Sequence, residues 1–176
     1  GGTIEHGADD RKQESLEEYY KGLSKEQKDG IEAVAMDMWD PYVAATREHI
    51  SGADEKIVYD RFHTMTHMGK AVDTVRKQEH REMMAEGDET LKGSKYLWLY
   101  NENNIPENRK NEFALLKAQG LKVGRAWAIK ETLRELWDYH YLESARKFWK
   151  QWYFWASHSR LDPIREVADL IKRHIA

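Results

Sequence analysis

Two aspartates stand where short apolar runs end. Asp37 follows Ile31-Glu32-Ala33-Val34-Ala35-Met36, and Asp60 follows Lys56-Ile57-Val58-Tyr59. An Asp carboxylate is a hard oxygen donor of the kind that holds a divalent cation. His63 comes three residues after Asp60, and its imidazole can orient a phosphate or a metal. Asp37, Asp60 and His63 are therefore the candidate catalytic residues, with Asp37 the candidate metal ligand. Each has a plainer reading beside the chemical one. Asp37 can simply turn the chain at a strand end. Asp60 can be the N-cap of the helix that follows, a role that stabilises by about 1 kcal/mol, with His63 in its first turn. His63 and His67 lie at i, i+4 on one helix face, as two zinc ligands require. The Glu of H-E-x-x-H is absent from His63-Thr64-Met65-Thr66-His67, however, and no third ligand stands at a suitable spacing.

These groups need elements to hold them. The two apolar runs are short and nearly continuous, which is how a strand buried on both faces reads. Asp40-Pro41 opens a helix, with Asp as N-cap and Pro at the first helical position. It runs from Tyr42 to Ile50 and breaks at Ser51-Gly52. A long helix then runs from about Arg61 to Ala85, with Phe62, Met65, Gly69, Val72 and Arg76 on one face and Gly87 as the stop. Strand, helix, strand, helix implies parallel pairing and right-handed crossovers. In open α/β sheets the working groups gather outside the carboxyl ends of the strands, where Asp37 and Asp60 would stand. Upstream, Ser15 with Glu18 and Ser24 with Gln27 have capping-box spacing and open two short helices. Gly30 can close the second in the left-handed conformation. After Gly87 the strands stop. Helices are expected at Glu107 to Gln119, through Ala126, Ile129, Leu133, Leu136 and His140, through Leu142, Ala145, Trp149, Trp152 and Ala156, and from Asp162-Pro163 onward. Tyr96 to Tyr100 reads as an aromatic run and Asn101 to Pro106 as a turn. The expected fold class is α/β: short parallel strands with helices over residues 1–87, then an all-helical region over residues 88–176.

Composition bounds what this arrangement can do. The chain has 176 residues, which suits one domain or one and a fraction. It is 40% hydrophobic and 34% charged, with a mean hydropathy of −0.87. No apolar run approaches the roughly 20 residues of a membrane span, and no signal-peptide pattern opens the chain. The absence of cysteine excludes a disulfide scaffold, a Cys-ligated zinc module and a thiol nucleophile, and suits a reducing cytoplasm. The net charge of −3 hides an asymmetry: residues 121–176 carry 11 Lys and Arg against 7 Asp and Glu. A whole-chain basic field is absent, yet an acidic first part and a basic aromatic tail allow a metal site beside a phosphate-binding surface. Arg146, Lys147, Lys150, Arg160, Arg165, Lys172 and Arg173 are candidate phosphate contacts, or else a solvated face. Among the late aromatics, Trp149 and Trp152 read as core. Tyr153-Phe154-Trp155 are consecutive and cannot all face one way, so a ring there is exposed or buried in a partner.

Five stretches occur in a telling order: MDMWDPY (Met36 to Tyr42), VYDRFH (Val58 to His63), KYLWLYNENN (Lys95 to Asn104), AWAIKE (Ala126 to Glu131) and SRLDPI (Ser159 to Ile164). Together they resemble the bacterial transposases of the ISL-three insertion-sequence family, over essentially the whole chain. The resemblance implies a partial RNase H-like core followed by a helical insertion. It implies cut-and-join DNA transposition by a D-D-E triad that binds two Mg²⁺ or Mn²⁺ ions about 4 Å apart. The family's second catalytic aspartate matches Asp37, and the D-x-x-H that follows matches Asp60 and His63. A comparable C/D-x-x-H accompanies that aspartate in Mutator-like transposases. The family's first aspartate belongs ahead of this stretch and its glutamate beyond it. The resemblance therefore implies an internal fragment carrying one of three catalytic carboxylates and inactive by itself. It further implies DNA at the transposon ends as partner, a homodimer through an open sheet edge, a bacterial cytoplasmic location and no membrane. A reading of another class stands beside it: a non-catalytic, transposase-derived helical module for DNA binding or assembly.

Overall fold

The computed structural model describes residues 13–36, 40–53, 57–59 and 61–175. The chain divides into two compact units, residues 1–64 and 65–176.

In the first unit, α1 (Gln13–Lys21) and α2 (Lys25–Asp29) precede a short strand, β1 (Val34–Met36), and α3 (Asp40–His49) precedes a second, β2 (Ile57–Tyr59). Helix α1 begins at Gln13, so Ser15 lies inside it and the box expected at Ser15 and Glu18 does not open it. The box at α2 does form: the Gln27 N–H donates to Ser24 Oγ at 3.1 Å, and the Ser24 N–H donates to Gln27 Oε1 at 2.8 Å. Gly30 closes α2 at φ −76°, in the right-handed region rather than the expected left-handed one. Helix α1 packs on α3. Tyr20 is buried with Ile50 and Ala53, and Leu16, Tyr19, Leu23 and Ile31 close around them. The Tyr20 hydroxyl lies 2.8 Å from Thr46 Oγ1. Thr46 gives its own proton to the Tyr42 carbonyl, so Tyr20 is the donor. Burial pushes the Tyr20 phenol above its ordinary pKa.

The α/β class with a partial RNase H-like core, expected from the sequence, is overturned here. The described chain is helical. Its β structure among the described residues is one parallel ladder, Val34 opposite Ile57 through Met36 opposite Tyr59. Three residues per strand and two strands make no layer for helices to cover, and such a pair is marginal by itself. The apolar runs are long enough to be taken for buried strands, but helices build the cores of both units.

In the second unit the long helix α4 (Arg61–Ala85), which starts in the first unit, buries Met68, Ala71, Val72 and Val75. It stops where Gly87 takes φ +79°, a conformation that glycine adopts without steric cost. The aromatic run 96–100 is mostly helical, as α5 (Lys95–Leu99). The helix expected at 107–119 is shorter: a 3-10 turn at Glu107–Arg109 precedes α6 (Lys110–Lys117). Helix α7 (Lys122–Leu133) tightens into a 3-10 segment at Arg134–Asp138 instead of running to His140. Then come α8 (Leu142–Ser157) and α9 (Asp162–Ile175), packed against each other. The core is aromatic. The Phe113 ring meets Trp98 and Trp127 edge-on at 4.9 and 5.1 Å, the favoured geometry for such pairs. Trp152 donates its indole N–H to the Ile129 carbonyl at 2.9 Å. Ile164, Ala168 and Ile171 form the buried stripe of α9.

One long-range contact fixes α7. The Glu79 carboxylate, buried on α4, accepts from the backbone N–H groups of Lys122 at 2.7 Å and Val123 at 3.0 Å. These are donors that an α-helix cannot satisfy internally, and a carboxylate there also suits the helix dipole. Among the described residues no helix is long and apolar enough to cross a membrane.

Candidate functional site

His63 sits in the first turn of α4, on an exposed position. Its ring meets the Phe62 ring edge-on at 5.7 Å, and Phe62 is 73% exposed. Met36 and Tyr59 are partners at the end of the parallel ladder. The next residues in sequence, Asp37 and Asp60, lie outside the described residues, so of the three candidate catalytic residues the structure places His63. His67, one turn further along α4, borders an open cleft of about 350 Å³ between α4 and α9. Lys70, Thr74 and Gln78 line it from α4, and Asp162 and Glu166 from α9. Among the described residues no group of three or more His, Asp or Glu is placed to hold a metal ion.

The basic aromatic tail resolves into two faces of α8. Inward, Phe148, Trp152 and Ala156 are buried, and Trp149 stacks on Trp152 at 5.5 Å. Outward, Lys147, Lys150, Gln151, Phe154 and Trp155 are exposed. The remaining basic candidates are partly engaged: Arg146 pairs with Glu143 at 3.1 Å, and Arg165 with Asp162 at 3.3 Å. Lys172 lies over the Tyr153 ring at 4.7 Å. Tyr153 in turn donates to Asp169 at 2.7 Å, a bond that raises its pKa. Arg160 turns the chain between α8 and α9 at φ +59°.

The model of a transposase family, the ISL-three type, matches residues 1–176. The chain belongs to this transposase family. The transposase for insertion sequence element IS1001 of Bordetella parapertussis is 26% identical over 168 residues, which are 94% of this chain and 41% of that protein. This transposase chain thus spans about 41% of the length of the curated relative it matches. No solved structure matches it.

Two of the stretches that carry the family resemblance, KYLWLYNENN and AWAIKE, meet at a side chain that sequence reasoning passed over. The Lys130 side chain is 3% exposed. Its ammonium donates to the carbonyls of Trp98 at 3.1 Å, Leu99 at 3.4 Å and Tyr100 at 3.3 Å, which lie where α5 ends and lack helical donors. Burial pushes the ammonium below the usual lysine range, and Glu131, 3.4 Å away, counters part of that. A third stretch, SRLDPI, is tied to α7 by Arg125, which donates to the Ser159 carbonyl at 3.1 Å. A signal for Lys130 is present: Ala126, Ile129 and Leu133 mark a buried stripe on α7, and Lys130, four residues after Ala126 and three before Leu133, falls on it.

Proposed function

We propose that the chain serves cut-and-join DNA transposition by two-metal phosphoryl transfer, with Asp37 as a metal-holding carboxylate and Asp60 and His63 as its neighbours. Family membership over residues 1–176 is the observation that carries this reading. The ladder supports it, because Met36 and Tyr59 are paired and an aspartate follows each in sequence. His63 supports it as an exposed imidazole at the start of α4. Asp37 offers oxygen, the donor type that Mg²⁺ and Mn²⁺ prefer. When bound, a metal pair supplies an activated oxygen nucleophile and stabilises the leaving oxygen. The residues of this chain would do the rest: Asp37 holds one cation, and the His63 imidazole donates a hydrogen bond to a phosphate oxygen. The activity belongs to the whole transposase, of which the related protein has more than twice this length. Transposon-end DNA is the substrate on this reading. Self-association is part of it too, since each strand of a two-stranded ladder has an unpaired edge within that ladder.

The helical character of the described chain favours a second reading, a non-catalytic module for DNA binding or assembly. An excision assay with the full-length transposase separates the two. Asp37→Asn is expected to lower excision by at least about a hundredfold, the scale on which loss of one preorganised charge-stabilising group acts, with DNA binding retained. Unchanged excision in Asp37→Asn refutes the catalytic reading and leaves the module.

A further inference from the structure

We infer that the outer face of α8 is a docking surface for single-stranded DNA, with Lys147 and Lys150 on phosphates and Phe154 and Trp155 against bases. The choice of DNA as partner rests on the proposed function; the surface rests on geometry. Lys147, Lys150, Gln151 and Phe154 follow one another at i, i+3 and i+4 spacing, opposite the buried Phe148, Trp152 and Ala156. Phe154 is 64% exposed and Trp155 41%. Large rings that a helix turns outward, when its other face already fills a core, are available to a ligand. The Phe154 ring is also braced: the His158 ring stacks on it at 4.1 Å, and the His158 Nδ1 lies 2.7 Å from the Phe154 carbonyl. A braced ring loses little freedom when a base stacks on it.

Charge selects the ligand. Helix α8 carries three cations, Arg146, Lys147 and Lys150, against one acid, Glu143, which Arg146 already engages. A helix face that sets the cations Lys147 and Lys150 one turn before the exposed Phe154 ring, with Trp155 on its flank, offers contacts both to phosphates and to flat bases, and such stacking tolerates any base. The bases must be accessible, which points to single-stranded rather than paired DNA.

Anisotropy of a labelled oligothymidine titrated with the chain tests the surface, and far-UV circular dichroism checks that each variant is folded. The chain should bind, and more weakly as salt rises. Lys147→Ala with Lys150→Ala should reduce the slope of log affinity against log salt by roughly 1.4, from about 0.7 per phosphate contact on a single strand. Phe154→Ser or Trp155→Ser should weaken binding about tenfold with the salt slope unchanged, and Lys110→Ala, away from α8, should change neither. Absence of binding by the unaltered chain overturns the surface, as does equal binding by the double lysine variant. So does a Phe154→Ser, Trp155→Ser variant that alters sedimentation but not DNA affinity, which would assign the face to a second copy of the chain. All three outcomes leave the transposition reading to the Asp37 assay.

Discussion

Asp73 shows how a single carboxylate on α4 can make stability depend on pH. Burial alone would push its carboxyl up, but Lys77 at 3.0 Å and Arg76 at 2.9 Å outweigh that and hold it below the usual carboxylate range. The proton therefore binds the unfolded chain more tightly than the folded one. The stabilisation is fully present above the unfolded value of about 4 and is lost as pH falls through the lower folded value. Urea unfolding followed from pH 7 to below 4 should show this loss. Asp73→Asn should cost about 1–2 kcal/mol at pH 7, as for a hydrogen bond to a charged group, and should flatten the acid limb of the profile. The contrast with Asp37 is instructive. Both are aspartates in sequence, and nothing in the residue type separates a structural anion from a metal ligand. Neighbours three and four residues on, Arg76 and Lys77, announce the first. The proposal that Asp37 is the second rests on the motif MDMWDPY.

At the scale of elements, Glu79 couples α4 to α7 by capping the first turn of a helix more than forty residues away. Glu79→Ala should strip two backbone donors of their acceptor and destabilise the second unit by about 1–2 kcal/mol, read as a lower urea midpoint with the slope unchanged. Glu79→Gln should recover part of that loss, because the amide oxygen still accepts while the charge is gone. This contact was invisible in the sequence: the residue before Lys122 is Leu121, which cannot cap, and nothing local says that an acid arrives from elsewhere. The helices themselves were legible, because apolar residues recur at 3.6-residue spacing through α4, α8 and α9, and Ser24 with Gln27 announced α2. The fold class was not. A short apolar run reads alike as a buried strand or as part of a helical core, and its alternation with helices imitates the pattern of a parallel sheet. Residues 31–33 are expected to extend the first strand and do not, whereas Lys56, expected in the second, lies outside the described residues. Among the described residues the ladder holds three residues on each side, and hydrophobic burial goes to helix packing around Tyr20, Trp98 and Trp152.

At the scale of the whole molecule, the chemistry divides much as the charge does. The candidate acids lie early in the chain, and the cations of α8 and α9 lie late. The family was legible from the order of five separated motifs more than from any one of them. What those motifs do physically emerged only in the fold, where Lys130 of one closes off the helix of another. That burial gives the molecule a built-in reporter. An amine-acylating reagent such as acetic anhydride, added in limiting amount, should mark solvent-facing lysines such as Lys92 and Lys122 early and Lys130 last. Peptide mass analysis over time would follow this order, and Lys130 modified as fast as Lys92 would contradict the buried position. Under mild denaturant the lag at Lys130 should shorten before the other rates change, so that acetylation at one nitrogen times how often the helices around Trp98 come apart.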